Sequence, residues 1–213
     1  MSGDTHIFPA AFRNDLTELM RWRRDVRHFR TAPVDETVLA RCLESFRLAP
    51  SVGLSEPWRI LRVESASARK AARENFEAAN ARALAGYAGK KAALYPKLKL
   101  SGMDRAPVQL AIYCDDATVQ GSGLGAATMP EMRRYSVVAA ISMFWLALRA
   151  EGLGLGWVSI LDPDRLSRDL DVPDNWTLVA YLCIGWPEAV RDSPELEEIG
   201  WEKRAPGLWM ETR

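Results

Sequence analysis

The sequence predicts an α+β fold of mixed helical and sheet layers, and three observations carry that prediction. The runs APVQLAIYCDD (106–116) and TLVAYLCIGWP (177–187) are continuously apolar between turn residues, the pattern of central strands buried on both faces. Between them, TMPEMRRYSVVAAISMFWLALRAEGLG (128–154) is apolar around its whole circumference. It is too apolar for a surface helix, and reads either as the middle of the core or as a seam between subunits. The rest of the chain alternates helix-like and strand-like patterning with no internal repeat and no linker. That gives roughly five helices and four or five short strands within one domain, residues 1–213.

Taken in order, residues 13–24 place Leu16, Leu19, Met20 and Trp22 at helical spacing, with Asn14 or Asp15 available as a cap. A second helix starts near Asp35, puts Val38, Leu39, Cys42, Leu43 and Phe46 on one face, and stops at Pro50. A loop over 50–57 leads into WRILRVES (58–65), whose alternation fits a strand. The stretch from about 67 to 93 is alanine-rich, highly charged and free of proline, as a solvent-facing helix on an excursion from the sheet would be.

Composition excludes several functions. Lysine plus arginine equals aspartate plus glutamate at 28 each in 213 residues, so no overall field draws nucleic acid or an anionic membrane, and any bound anion must meet a local cluster. Cys42, Cys114 and Cys183 are odd in number and scattered, which reads as reduced core thiols rather than a zinc site. His6 and His28 are the only histidines, leaving little for a catalytic triad or a metal centre, and no metal is expected. There is no export leader pattern and no run of eighteen apolar residues, so a cytoplasmic protein is expected. The glycines of GSGLGAAT (121–128) lack the spacing of either nucleotide-binding loop and read as a surface loop.

The chemistry concentrates in MRWRRDVRHFRTAPV (20–34), where five arginines surround a single acid, Asp25. Arginines at a helix end are ordinarily a solvated face that complements the helix dipole. They also hold phosphate bidentately and stay charged. Two distant segments favour the second reading: APSVGLSEPW (49–58) supplies hydroxyls in a proline-bounded loop, and WEKRAP (201–206) supplies another arginine. Among the tryptophans, Trp58, Trp157 and Trp201 are best placed to approach a flat aromatic ligand.

Together RRDVRHF (23–29), APSVGLSEPW and WEKRAP resemble the flavin-binding segments of the nitroreductase-like flavoprotein family, in order and spacing over nearly the whole chain. The resemblance implies a central, mostly antiparallel sheet flanked by helices, with a lid over about 67–105. It implies flavin mononucleotide (FMN) held by Arg23, Arg24 and Arg27, with Arg204 completing a phosphate clamp. Pro50 would shape the loop, Ser51 and Ser55 would contact ring or ribityl chain, and Val158 would lie along the ring. Tyr95, Leu98 and Met103 would face it from the lid.

The family's first segment resembles RRSxRxF, and Asp25 stands where that pattern has serine. With GLGLGWVSILDP (152–163), the departure is similar to a branch that consumes its flavin. In that branch reduced FMN is substrate, reacting with molecular oxygen to give dimethylbenzimidazole, the lower ligand of vitamin B12, and erythrose 4-phosphate. The resemblance then implies Asp25 and Ser159 as the catalytic pair, a homodimer, and a separate flavin reductase as the source of FMNH2. Two alternatives stay open: an FMN-dependent NAD(P)H nitroreductase or flavin reductase, and a non-catalytic flavin-binding protein.

Overall fold

A computed structural model describes residues 6–213; residues 1–5, the start of the stretch read for an export leader, lie outside it. Four antiparallel strands form one sheet in the order β1-β2-β4-β3: β1 Trp58–Arg62, β2 Val108–Asp115, β3 Gly154–Val158 and β4 Trp176–Gly185. The two apolar runs are its central pair, β2 and β4. Alternation along β2 divides the core between two layers. Val108, Leu110, Ile112 and Cys114 face one cluster, and Ala111 and Tyr113 the other.

The first layer is built on α2 (Glu36–Leu43) and α5 (Met132–Ala150), whose Val137, Ala140, Ile141, Phe144 and Leu148 are buried. Its opposite side leaves Tyr135 and Val138 in solvent, so α5 is a core helix with one uncovered strip. The second layer comes from α3 (Ala66–Ala85) and α6 (Pro163–Asp169), with Phe29 and Met103 in the same cluster. The chain leaves the sheet at Arg62 and returns at Val108, and α3 and α4 (Gly89–Leu94) lie within that excursion.

Helix boundaries moved for local reasons. α1 spans Ala10–Trp22 instead of 13–24, because Pro9 presets the entry and Arg23 turns extended to run beside β3; Asn14 and Asp15 lie inside the helix. Asp35 caps α2 as its sequence signals, accepting from the Thr37 amide at 2.7 Å. The long helix ends at Gly86 and resumes three residues later. All three cysteines are buried and unpaired. Among the described residues no helix is long and apolar enough to cross a membrane.

Candidate active site

The segment after α1 is held against β3 as a partial fifth strand, and glycine makes that possible. Asp25 bridges Leu155 in parallel, with the Val26 amide donating to the Leu155 carbonyl at 3.0 Å. A Cβ on Gly156 would lie 2.1 Å from the Val26 carbonyl oxygen, and one on Gly154 would lie 2.7 Å from a Val26 methyl. Only bare backbone admits this approach. Phe29, fully buried, anchors the far end against Gly102 and Gly185.

This packing presents Asp25. Its Oδ1 accepts from the Trp157 amide at 2.9 Å, and its Oδ2 accepts from Arg27 Nε at 2.7 Å. Both carboxylate oxygens are therefore fixed while the side chain keeps 32% of its exposure. Ser159 lies two residues beyond Trp157, just past the end of β3, and is exposed; Val158 between them is buried. At ~3.3 Å rise per strand residue, Ser159 is about 7 Å from the amide that holds Asp25.

Arg23 and Arg24 precede this acid, and a third arginine acts on both. The Arg23 guanidinium lies 4.5 Å over the Trp145 ring. Arg24 directs its donors to the carbonyls of Arg23 and Asp192, and among the described residues neither arginine forms an ion pair with a carboxylate. Arg204, from the carboxyl-terminal segment, is near enough for its charge to act on both. Burial is the main cause that lowers the Arg23 and Arg24 pKa values; Arg204 lowers both further, while Asp25 opposes the shift at Arg23. Clustered cations that destabilise one another gain most from a bound anion. Guanidinium groups are the donor type that a phosphate dianion takes up bidentately.

The serine loop stands elsewhere. Ser51 Oγ accepts from the Glu56 amide, and the Val52 amide donates to Ser136 at the start of α5. Pro50 is exposed; Ser55 is buried, its hydroxyl without a partner among the described residues. The loop leads into β1, at the opposite sheet edge from β3, three strand spacings or about 14 Å away. Within one chain it does not join Asp25 and Ser159. The cavity beside Asp25 has a volume of ≈ 220 Å³ between α1, α5 and residues 187–195. That is below the ~300–1,000 Å³ of ordinary ligand pockets.

The three residues expected to face the ring are placed variously. Tyr95 is buried, its hydroxyl donating to Asn80 at 2.8 Å, and burial raises its pKa. Leu98 and Met103 line a groove under α3, and Met103 reaches the core cluster that holds Phe29 and Val158. Arg27 also reaches the Lys99 carbonyl at 3.4 Å, linking the acid to that segment. Trp58 packs on Phe46 and Trp157 near Trp145. Exposed His28 sits 3.6 Å from Glu195. Among the described residues, no cluster of histidine, cysteine or acid suits a metal. The Trp157 amide, Trp145 and the two glycines were missed as site-forming groups; a Gly-x-Gly inside a strand pattern is the signal that could have found the last.

Comparison with known proteins gives the family of the chain. The family model described as "Nitroreductase family" matches residues 20–186. A 5,6-dimethylbenzimidazole synthase of Rhodospirillum rubrum is 54% identical over 200 residues, covering 94% of this chain and 95% of that protein. One of Rhodobacter capsulatus is 48% identical, covering 95% and 98%. Among solved structures, an iodotyrosine deiodinase bound to FMN and 3-iodo-L-tyrosine matches with a TM-score of 0.70 at 21% identity, over 93% of this chain and 97% of that one. At that identity the likeness shows the fold.

Proposed function

The chain belongs to the nitroreductase family, and within it we propose a 5,6-dimethylbenzimidazole synthase: an oxidoreductase that fragments reduced FMN with dioxygen, releasing dimethylbenzimidazole, erythrose 4-phosphate and the pyrimidine part of the flavin ring. Near-full-length identity to two such synthases supports the reading. The observation that carries it in the site is Asp25, an acid held by the Trp157 amide and Arg27 and acting on Arg23.

Reduced flavin supplies the electrons for dioxygen. The protein binds, orients and moves protons around it. Arg23, Arg24 and Arg204 hold the phosphate dianion. Asp25, oriented by Arg27 and the Trp157 amide, accepts the proton that leaves the ribityl carbon next to the ring. Ser159 hydrogen-bonds the reactive edge of the ring, and Val158 supplies backbone along it. The excursion over about 67–105, with Leu98 and Met103 inward, excludes water. A separate reductase delivers the reduced flavin.

A homodimer completes the site. α1 has no buried residue, and Phe8, Phe12, Leu16 and Met20 form an uncovered stripe at four-residue spacing, which a second copy would cover. Pairing also offers a route for Pro50, Ser51 and Ser55 of one subunit to reach the flavin held by the other.

The test is one turnover. Reduced FMN is mixed with protein without oxygen, then air is admitted. Loss of flavin absorbance with appearance of dimethylbenzimidazole is expected. Quantitative recovery of oxidised FMN would sink the proposal. Sustained NADPH oxidation with the flavin intact would favour a nitroreductase.

A further inference from the structure

We propose that Trp201 is a positioning residue for Arg204, docked in a socket that ties the phosphate clamp to the excursion between β1 and β2. This rests on the reading of Arg204 as a phosphate ligand.

Three residues of the excursion enclose one carboxyl-terminal ring. Lys91 of α4 places its ammonium 4.3 Å from the Trp201 ring centroid and also donates to the Trp201 carbonyl. Tyr87, just before α4, meets the indole edge-on with centroids 5.3 Å apart and planes at 79°. Tyr95, just after α4, lies at 6.2 Å and is itself fixed by Asn80 of α3. The two tyrosines pack with centroids 4.9 Å apart and planes tilted by 32°. The cation meets the electron-rich face of the indole, and the near-perpendicular Tyr87 and Trp201 rings pair edge to face, both favourable electrostatically.

The socket is the last anchor before the clamp. The Trp201 and Glu202 amides donate to the Leu196 carbonyl, and beyond them the chain makes no backbone-to-backbone hydrogen bond among the described residues. Lys91 also pairs with Glu202 at 3.3 Å. Arg204 follows Trp201 by three residues, is exposed, and still acts on Arg23 and Arg24. Holding a cation against two others opposes their repulsion, so something must fix the backbone, and the Trp201 contacts are what the structure offers. Movement of α4 would thus move Arg204: a cover that opens would loosen the phosphate as it uncovers the ring.

The test compares oxidised FMN with riboflavin, which lacks the phosphate, by flavin fluorescence titration on the full-length protein. Arg204→Ala is expected to weaken FMN by about 10- to 100-fold while leaving riboflavin within about twofold. Trp201→Ala is expected to do the same, the double variant adding little to either single one. Trp201→Phe, which keeps an aromatic ring, should restore most of the discrimination.

If Arg204→Ala leaves the FMN preference intact, the phosphate reading of Arg204 fails and takes this inference with it. If Arg204→Ala abolishes the preference and Trp201→Ala keeps it, only the positioning role is overturned. Equal weakening of both ligands by Trp201→Ala would also overturn it, as a general structural effect. Should Trp201→Ala fail to fold, Tyr87→Ala and Lys91→Gln remove single walls of the socket; a lowered FMN preference in both supports the coupling, and an unchanged preference refutes it.

Discussion

Replacing Asp25 by asparagine changes one atom and separates catalysis from binding. The amide oxygen can still accept from the Trp157 backbone, but an NH2 group then faces Arg27 Nε, where the carboxylate now accepts at 2.7 Å. The variant loses one charge-assisted bond, worth ~1.5–3 kcal/mol when intact. With 32% and 15% of the two side chains still exposed, the lower part of that range applies, about 1.5–2 kcal/mol. In a domain of this size the melting temperature should fall by roughly 3–8 °C.

Affinity should move the other way. Removing a negative charge leaves Arg23, Arg24 and Arg204 more positive, so FMN binding should hold or tighten. Loss of the proton acceptor should slow dimethylbenzimidazole formation by about 10²- to 10⁴-fold. The assay is single-turnover product yield by chromatography, beside flavin titration and thermal melting of the same preparation. A folded Asp25→Asn protein that makes product within about tenfold of the parent would refute the base role. Parallel loss of binding and turnover would assign Asp25 to binding instead. Asp25→Ser, which restores the hydroxyl of the family pattern, should bind FMN and leave it whole.

Gly156→Ala puts a methyl 2.1 Å from the Val26 carbonyl oxygen, so it should displace the Asp25 segment and cut turnover at least tenfold; unchanged kinetics would mean that the close approach is dispensable. Ser159→Ala should lower product yield by about 100-fold, the cost of one transition-state donor, with FMN affinity little changed; parental yield would remove Ser159 from the mechanism. Leu16→Glu with Met20→Glu charges the α1 stripe and should give a monomer in sedimentation with little activity; a dimer of full activity would place the subunit contact elsewhere. Burial pushes the Cys114 and Cys183 thiols from 9.0 up to about 12. Their folded pKa values lie above the unfolded ones, so the stability they contribute is complete below pH 9 and is lost as pH rises from 9 to 12. Each contributes a slope of at most ~1.4 kcal/mol per pH unit. Cys183→Ala should flatten that alkaline loss in urea melts, and an equal slope would contradict it.

Patterning alone identified the layers of this fold, because a strand buried on both faces and a helix apolar all round have no other soluble home. β2, β4 and α5 could be read directly from apolar runs, and Asp35 as a cap from its place before an apolar stripe. Helix ends were less legible. α1 ends where it does because β3 offers a backbone edge to residues 25 and 26, a long-range contact invisible in the local spacing. The resemblance singled out Asp25, Ser159 and the arginines by residue type and order.

Their arrangement was settled only by folding. Nothing in the local pattern of GLGLGW assigns its glycines a role, yet two of them are the surface on which the Asp25 segment rests. The resemblance groups the serine loop with the arginines around one flavin, but within one chain the strand order puts it at the opposite edge of the sheet. Trp201 read as a candidate ligand contact; in the fold its ring lies among Tyr87, Lys91 and Tyr95. The sequence by itself determined which groups carry charge and which faces must be buried, since those follow from side-chain chemistry and period. Only the tertiary structure decided which groups meet, because distances across a sheet depend on strand order and backbone approach, and neither is written in local sequence.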